Sequence, residues 1–173
     1  MYYIPGILVI IGFLVFWIIK TQSNLVGLED NNTKAMSQIG VHISSQWEVL
    51  NSLLTITREH STQGHEDIAE IMAARHCITK ESLPEDIRMQ EGLIAQGLDK
   101  IKGVAEASPE LKAQQDYINA IDAIHQYENM MDTSKLIYDE SAWHFNNKIR
   151  KFPTVLIARA LGFSARDYFH DDK

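Results

Sequence analysis

The first nineteen residues, MYYIPGILVIIGFLVFWII, carry no charged side chain, and no other feature constrains the fold as strongly. At 1.5 Å rise per residue they make roughly 28 Å of helix, close to the thickness of a bilayer's hydrocarbon layer. Tyr2, Tyr3 and Trp17 stand near the ends of this stretch and Lys20 follows it. Amphipathic rings and a flanking cation favour the headgroup region. Pro5 falls in the first turn, where a missing N–H is harmless. A cleaved signal peptide would show a basic leader and a small-x-small cleavage site. Here no Lys or Arg precedes the apolar run, and KTQSNLVGLED follows it. The expectation is an uncleaved single-pass anchor over residues 1–20; a fully buried core helix is the competing reading. Lys20 alone flanks the stretch, so the positive-inside rule leans towards a cytoplasmic body.

Beyond the anchor the pattern is helical. Leu25, Leu28, Ala35, Ile39, Ile43, Trp47, Leu50 and Leu54 keep three-to-four spacing to about His60. STQGHED (61–67) supplies a break. A shorter helix is expected over 65–80, striped by Ile68, Ile71, Met72 and Ile78. SLPED (82–86) reads as a helix start, with Ser82 as cap, Glu85 three residues on and Pro84 in the first turn. Ser108 and Pro109 repeat that signal. From there one last helix of about 43 residues, roughly 65 Å, is expected to reach Phe152, where Pro153 stops it. The scarcity of turn formers, 9 Gly and 4 Pro, disfavours an all-β chain. The expected fold class is all-α: an N-terminal transmembrane helix continuous with a long antiparallel helical bundle over 21–152, then a tail over 153–173. Helices this long need to bury their stripes.

Three segments carry a family resemblance. SNLVGLEDNNTKAMSQIGVHIS (23–44), KGVAEASPELKAQQDY (102–117) and YENMMDTSKLIYDESAWHFNNKIRKFPTVLIARALGF (127–163) resemble the juxtamembrane, central and C-terminal motifs of the LemA family, and the YF pair at 168–169 fits too. VAEASPELKA and FPTVLIA are the most telling pieces. The chain departs from the family pattern at 44–54, where SSQWEVLNSLL replaces a basic, proline-containing stretch, and at Met36 and Gly40. The resemblance implies a bacterial, membrane-anchored four-helix bundle of a family with no established enzymatic activity.

Charge is distributed unevenly. Residues 20–147 hold ten Lys/Arg against twenty Asp/Glu, whereas 148–173 hold six against three. An acidic body argues against nucleic acid as partner, since phosphates are neutralised by Lys and Arg. No Glu-x-x-His pair of a di-iron bundle occurs. His60, His65, His76 and Cys77 match no closed tetrahedral spacing. No P-loop or Gly-x-Gly-x-x-Gly is present. The expectation is no enzyme, no cofactor and no metal.

Asn32, Gln38, Gln46, Gln114, Asn119, Glu128 and Asn129 lie near the apolar stripes. Two readings stay open for them: solvated stripe edges, or polar contacts that fix register or oligomer state. Gln38, Glu128 and Asn129 are the candidates for the second, Glu128 and Asn129 also being part of the family pattern. The segment IRKFPTVLIARALGF (149–163) is too short and too charged to span a bilayer. Three readings of its Arg150, Lys151, Phe152, Pro153, Leu156, Arg159 and Phe163 remain: a closing helix on the bundle, with Val155, Leu156, Leu161 and Phe163 completing the core; a contact with a neighbouring subunit; or a contact with anionic lipid.

The functional expectation is a homo-oligomeric scaffold or protein-interaction platform at the bacterial inner membrane, in contact with the lipid bilayer and with other membrane proteins. The alternative is a ligand-sensing bundle that signals through a separate partner.

Overall fold

In a computed structural model, which describes residues 3–58 and 65–170, the chain is mostly helical, with no strand among the described residues. Six helices follow one another: α1 (Tyr3–Arg58), α2 (His65–Ala73), α3 (Pro84–Ala107), α4 (Pro109–Ala113), α5 (Gln115–Arg150) and α6 (Thr154–Ala160). The break expected at 61–67 falls mostly outside the described residues, as do His60 and Tyr2. The chain divides into two compact units: residues Lys34–Leu136, and residues Met1–Thr33 together with Ile137–Lys173. Both α1 and α5 contribute to each.

The unit of residues 34–136 is built on the stripe read from the sequence. Ala35, Ile39, Ile43, Trp47, Leu50 and Leu54 of α1 are all buried, as are Ile68 and Ile71 of α2, Ile87, Ile94, Leu98 and Ile101 of α3, and Ile124 and Met131 of α5. Contacts give the directions. Trp47 bonds Gln90 and Leu50 packs at Gly97, so α1 and α3 run the same way. Lys100 pairs with Asp67 while Gly97 lies near Ile71, so α2 runs against α3. His42 lies against Tyr127, and Asn51 and Thr55 share a groove with Asn119 and Asp116, so α5 runs against α1. A Cβ on Gly97 would stand 2.9 Å from Leu50 Cδ2, which is why α1 and α3 can approach so closely there.

Four expectations about helix ends are corrected. The segment expected to be helical over 65–80 stops at Ala73. The wholly buried Gln90 replaces the missing helical bonds: its Oε1 accepts from the His76 N–H at 3.1 Å and its Nε2 donates to the Ala74 carbonyl at 3.4 Å. The cap of α3 is Leu83, not Ser82, and the carboxylate that accepts the Leu83 N–H, at 2.7 Å, is Asp86, not Glu85. Ser82 Oγ instead accepts the Thr79 N–H, closing the turn before it. The expected last helix is broken at Gln114, whose ψ of 130° is extended, because the chain reverses between α3 and α5 over residues 108–114. Ser108 makes no side-chain cap bond. Finally, α5 ends at Arg150, three residues before Pro153: the proline has no N–H to continue the ladder and biases Phe152 away from helical backbone.

In the other unit, Leu25 of α1, Phe145 and Ile149 of α5 and Ala158 of α6 form a buried cluster, with Leu28 and Phe163 packed against it. The N-terminal part of α1 stands out of this packing: Ile11, Phe13, Leu14, Phe16 and Ile19 are exposed, Phe13 by 70%. By length and composition this is a helix able to cross a membrane.

Candidate functional site

Residues 151–170 reverse the chain and clasp it back onto α5. Pro153 starts the reversal and α6 follows for seven residues. Gly162 ends it, with φ +78°, a conformation open to glycine at little cost. The Phe163 N–H donates to the Ala158 carbonyl at 3.0 Å and the Gly162 N–H to that of Arg159 at 3.3 Å. Those two bonds are the Schellman closure of a helix C-terminus. The closure turns Phe163 inward, edge-on to Phe145 with ring centroids 5.9 Å apart.

Beyond Phe163 the tail is held by polar groups. Asn146 is almost wholly buried. Its Oδ1 accepts the Arg166 N–H at 2.8 Å; its Nδ2 donates to the Arg166 carbonyl at 2.8 Å and to the Tyr168 hydroxyl at 2.9 Å. A single side-chain amide thus pairs with both backbone groups of one residue, as a neighbouring strand would. The Arg166 guanidinium reaches Glu29 of α1 at 2.5 Å. The Asp139 carboxylate accepts the Phe169 N–H at 2.7 Å, the His170 N–H at 3.0 Å and the His170 ring Nδ1–H at 2.7 Å. Phe169 stacks edge-on against Tyr138 at 5.1 Å. Burial raises the Tyr138 phenol above its ordinary value; Arg166 offsets this in part, and Asp167 and Asp139 add to it.

The residues singled out from the sequence fall in different places. Trp17 is half-buried and Lys20 exposed, while nothing is described of the Tyr3 side chain. Gln38 and Asn129 are exposed; Glu128 is half-buried and accepts a bond from His125 at 2.9 Å. Of the stripe-edge polar residues, Asn32 and Gln46 are the ones buried. In the tail, Phe163 reaches the core, but Arg150, Lys151, Phe152, Pro153, Leu156 and Arg159 are exposed. The closing helix presents Ile157 and Ala158 to the core in place of the expected Leu156 and Leu161, which are exposed; Val155 is half-buried.

Sequence reasoning missed Gln90 and Asn146. Both had a signal: each sits on a stripe, Gln90 between Ile87 and Ile94, Asn146 between Ala142 and Ile149. A polar residue inside a buried stripe carries bonds or costs stability. Gln90 Oε1 also accepts the Trp47 indole N–H at 3.0 Å, tying α1, the segment after α2 and α3 together.

Among the described residues no three His, Cys, Asp or Glu converge as metal ligands do. Two open grooves lie in the unit of residues 34–136. One, of about 430 Å³, runs between the Ser37–Glu48 face of α1 and Ile78–Lys80; the other, of about 440 Å³, lies between Asn51–Ile56 and Asp116–Ala120.

A long apolar leading helix, a helical body and a C-terminal clasp define a class: all-helical proteins with, among the described residues, one helix apolar enough for a bilayer. The chain belongs to the LemA family, whose model matches residues 35–173. No curated protein matches it.

Proposed function

We propose that this LemA-family chain is a single-pass protein of the bacterial cell membrane, whose helical body works without catalysis as a homo-oligomeric scaffold or interaction platform. The observation that carries the reading is the apolar surface left open. Phe13, Phe16 and Ile19 of α1 expose most of their rings or branches, which suits lipid and not water. On α5, Trp143 is 56% exposed and Ile137 nearly half. Large apolar side chains of this kind, above all Trp, are what protein interfaces are anchored on.

The test of assembly is mass by light scattering in mild detergent. A mass of at least two chains is expected, and Trp143→Asp lowers it. A monomer at every concentration contradicts the reading. The body is placed on the cytoplasmic side, on the strength of Lys20 following the apolar stretch. Cys77 is exposed and is the single cysteine. In intact cells a membrane-impermeant maleimide leaves it unlabelled; labelling before permeabilisation contradicts that side.

The two grooves favour a second reading, ligand sensing through a partner protein. A thermal-shift screen separates the two, because a ligand at 100 times its dissociation constant adds about 2.7 kcal/mol of stability.

A further inference from the structure

We propose that the chain reversal at residues 150–162 is a second membrane contact: a surface-lying element that rests on anionic phospholipid beside the anchor. The inference builds on the anchored reading above and adds a lipid-binding element to it.

Position is the first argument. Arg166 joins Glu29 of α1 to the level of Asn146, while Leu25 clusters with Ile149. Moving along α1 towards its apolar turns is therefore moving along α5 towards its C-terminus. After the reversal the chain runs back up α5, with Phe163 on Phe145, Arg166 on Asn146 and Phe169 on Tyr138. The reversal is thus the end of this unit on the side of the apolar stretch. Leu25 lies only about 7 Å along the helix from Lys20. Full burial on α1 ends at Thr21; Ile18, Ile19 and Lys20 are exposed and Trp17 is half-buried. A bilayer that receives the apolar stretch has its surface at the level of this reversal.

Chemistry is the second argument. Phe152 is 81% and Leu156 61% exposed, and Leu161 is nearly half exposed. In a purely aqueous setting a seven-residue helix would turn such groups inward, and it does so with Ile157 and Ala158. Arg150, Lys151 and Arg159 are exposed beside them. From Ser141 to Arg166 the chain holds five Lys/Arg and no carboxylate, in a molecule of net charge −7. Apolar side chains interleaved with cations are the composition that settles into the headgroup layer of an anionic membrane. The Schellman closure at Gly162 and the Asn146 bonds hold the element in place, so little order remains to be gained on contact.

The test uses the full chain with Cys77→Ser and one new cysteine carrying an environment-sensitive fluorophore. The labelled position is Leu156, Ile11 or Glu140, the last an exposed site about 15 Å up α5 from Arg150. The protein is reconstituted in vesicles of phosphatidylcholine alone or mixed with phosphatidylglycerol, with spin-labelled lipid as quencher. The expected result is quenching at Ile11 in both vesicles, at Leu156 strongly only with phosphatidylglycerol, and at Glu140 in neither. Removing each of Lys151 and Arg159 lowers the docked-to-undocked ratio about fivefold, and K151E with R159E abolishes the Leu156 signal. Quenching at Ile11 with Leu156 no different from Glu140, or indifferent to lipid charge, overturns the proposal while the anchor stands. No quenching at Ile11 overturns both.

Discussion

Asn146 does with one side chain what the tail's sequence could not do alone. The stretch Ser164–His170 has no helical bonds of its own, and its order rests on Asn146, Asp139 and the ring contacts of Phe163 and Phe169. Asn146→Ala leaves the Arg166 N–H and carbonyl without that partner, a loss of about 2–3 kcal/mol. The expected outcome is a lower melting temperature and fast hydrogen exchange at the Arg166 amide. Gln90→Leu acts in the same way on Trp47 and on the Ala74–His76 backbone, and its indole N–H bond is lost. Tyr138 has a pH signature. Its phenol ionises at higher pH in the folded chain than in the unfolded one, because burial disfavours the charge. Its contribution is therefore complete below the unfolded value of about 10 and lost as pH rises through the folded value. The urea midpoint falls across that alkaline window, and Tyr138→Phe makes the fall shallower.

At the scale of elements, the helical stripe was the legible part. From Leu25 to Leu54 every position named from the spacing is buried or half-buried, because a 3.6-residue period leaves one face for the core. What was not legible depends on partners distant in sequence. The end of α2 rests on Gln90, fourteen residues past His76. In α6, Ala158 packs with Phe145, Leu25 and Ile149, and Leu156 is left exposed. A run such as TVLIARALGF carries too many apolar residues for periodicity to choose among them. The start of α3 shows the same limit: SLPED offers two carboxylates, and the chain uses Asp86 for the cap while Glu85 pairs with Arg88. Asp86→Ala costs about 1 kcal/mol through the lost cap, whereas Glu85→Ala stays within a few tenths, since an exposed i,i+3 pair contributes little. Chemical denaturation of the two variants checks the difference. Gly162→Ala forces a Cβ into positive φ at a cost of about 1 kcal/mol and loosens Phe163 from Phe145. The readout is the near-ultraviolet ring signal.

For the whole molecule, the apolar leading stretch and the helical stripes carried the class, motifs such as VAEASPELKA and FPTVLIA carried the family, and the clasp emerged only with the fold. The charge asymmetry between the acidic body and the basic tail was legible in the sequence, but it left three readings of the tail open. The proposal that the basic reversal meets lipid rests on α5 running back along α1 in this unit. Both the proposed platform and the proposed lipid contact require the leading helix to be held in a bilayer for good. Washing bacterial envelopes with alkaline carbonate and following the full-length protein measures this directly. Retention in the membrane pellet, even as the body weakens at high pH, is the predicted result. Release of the intact chain into the wash would contradict it.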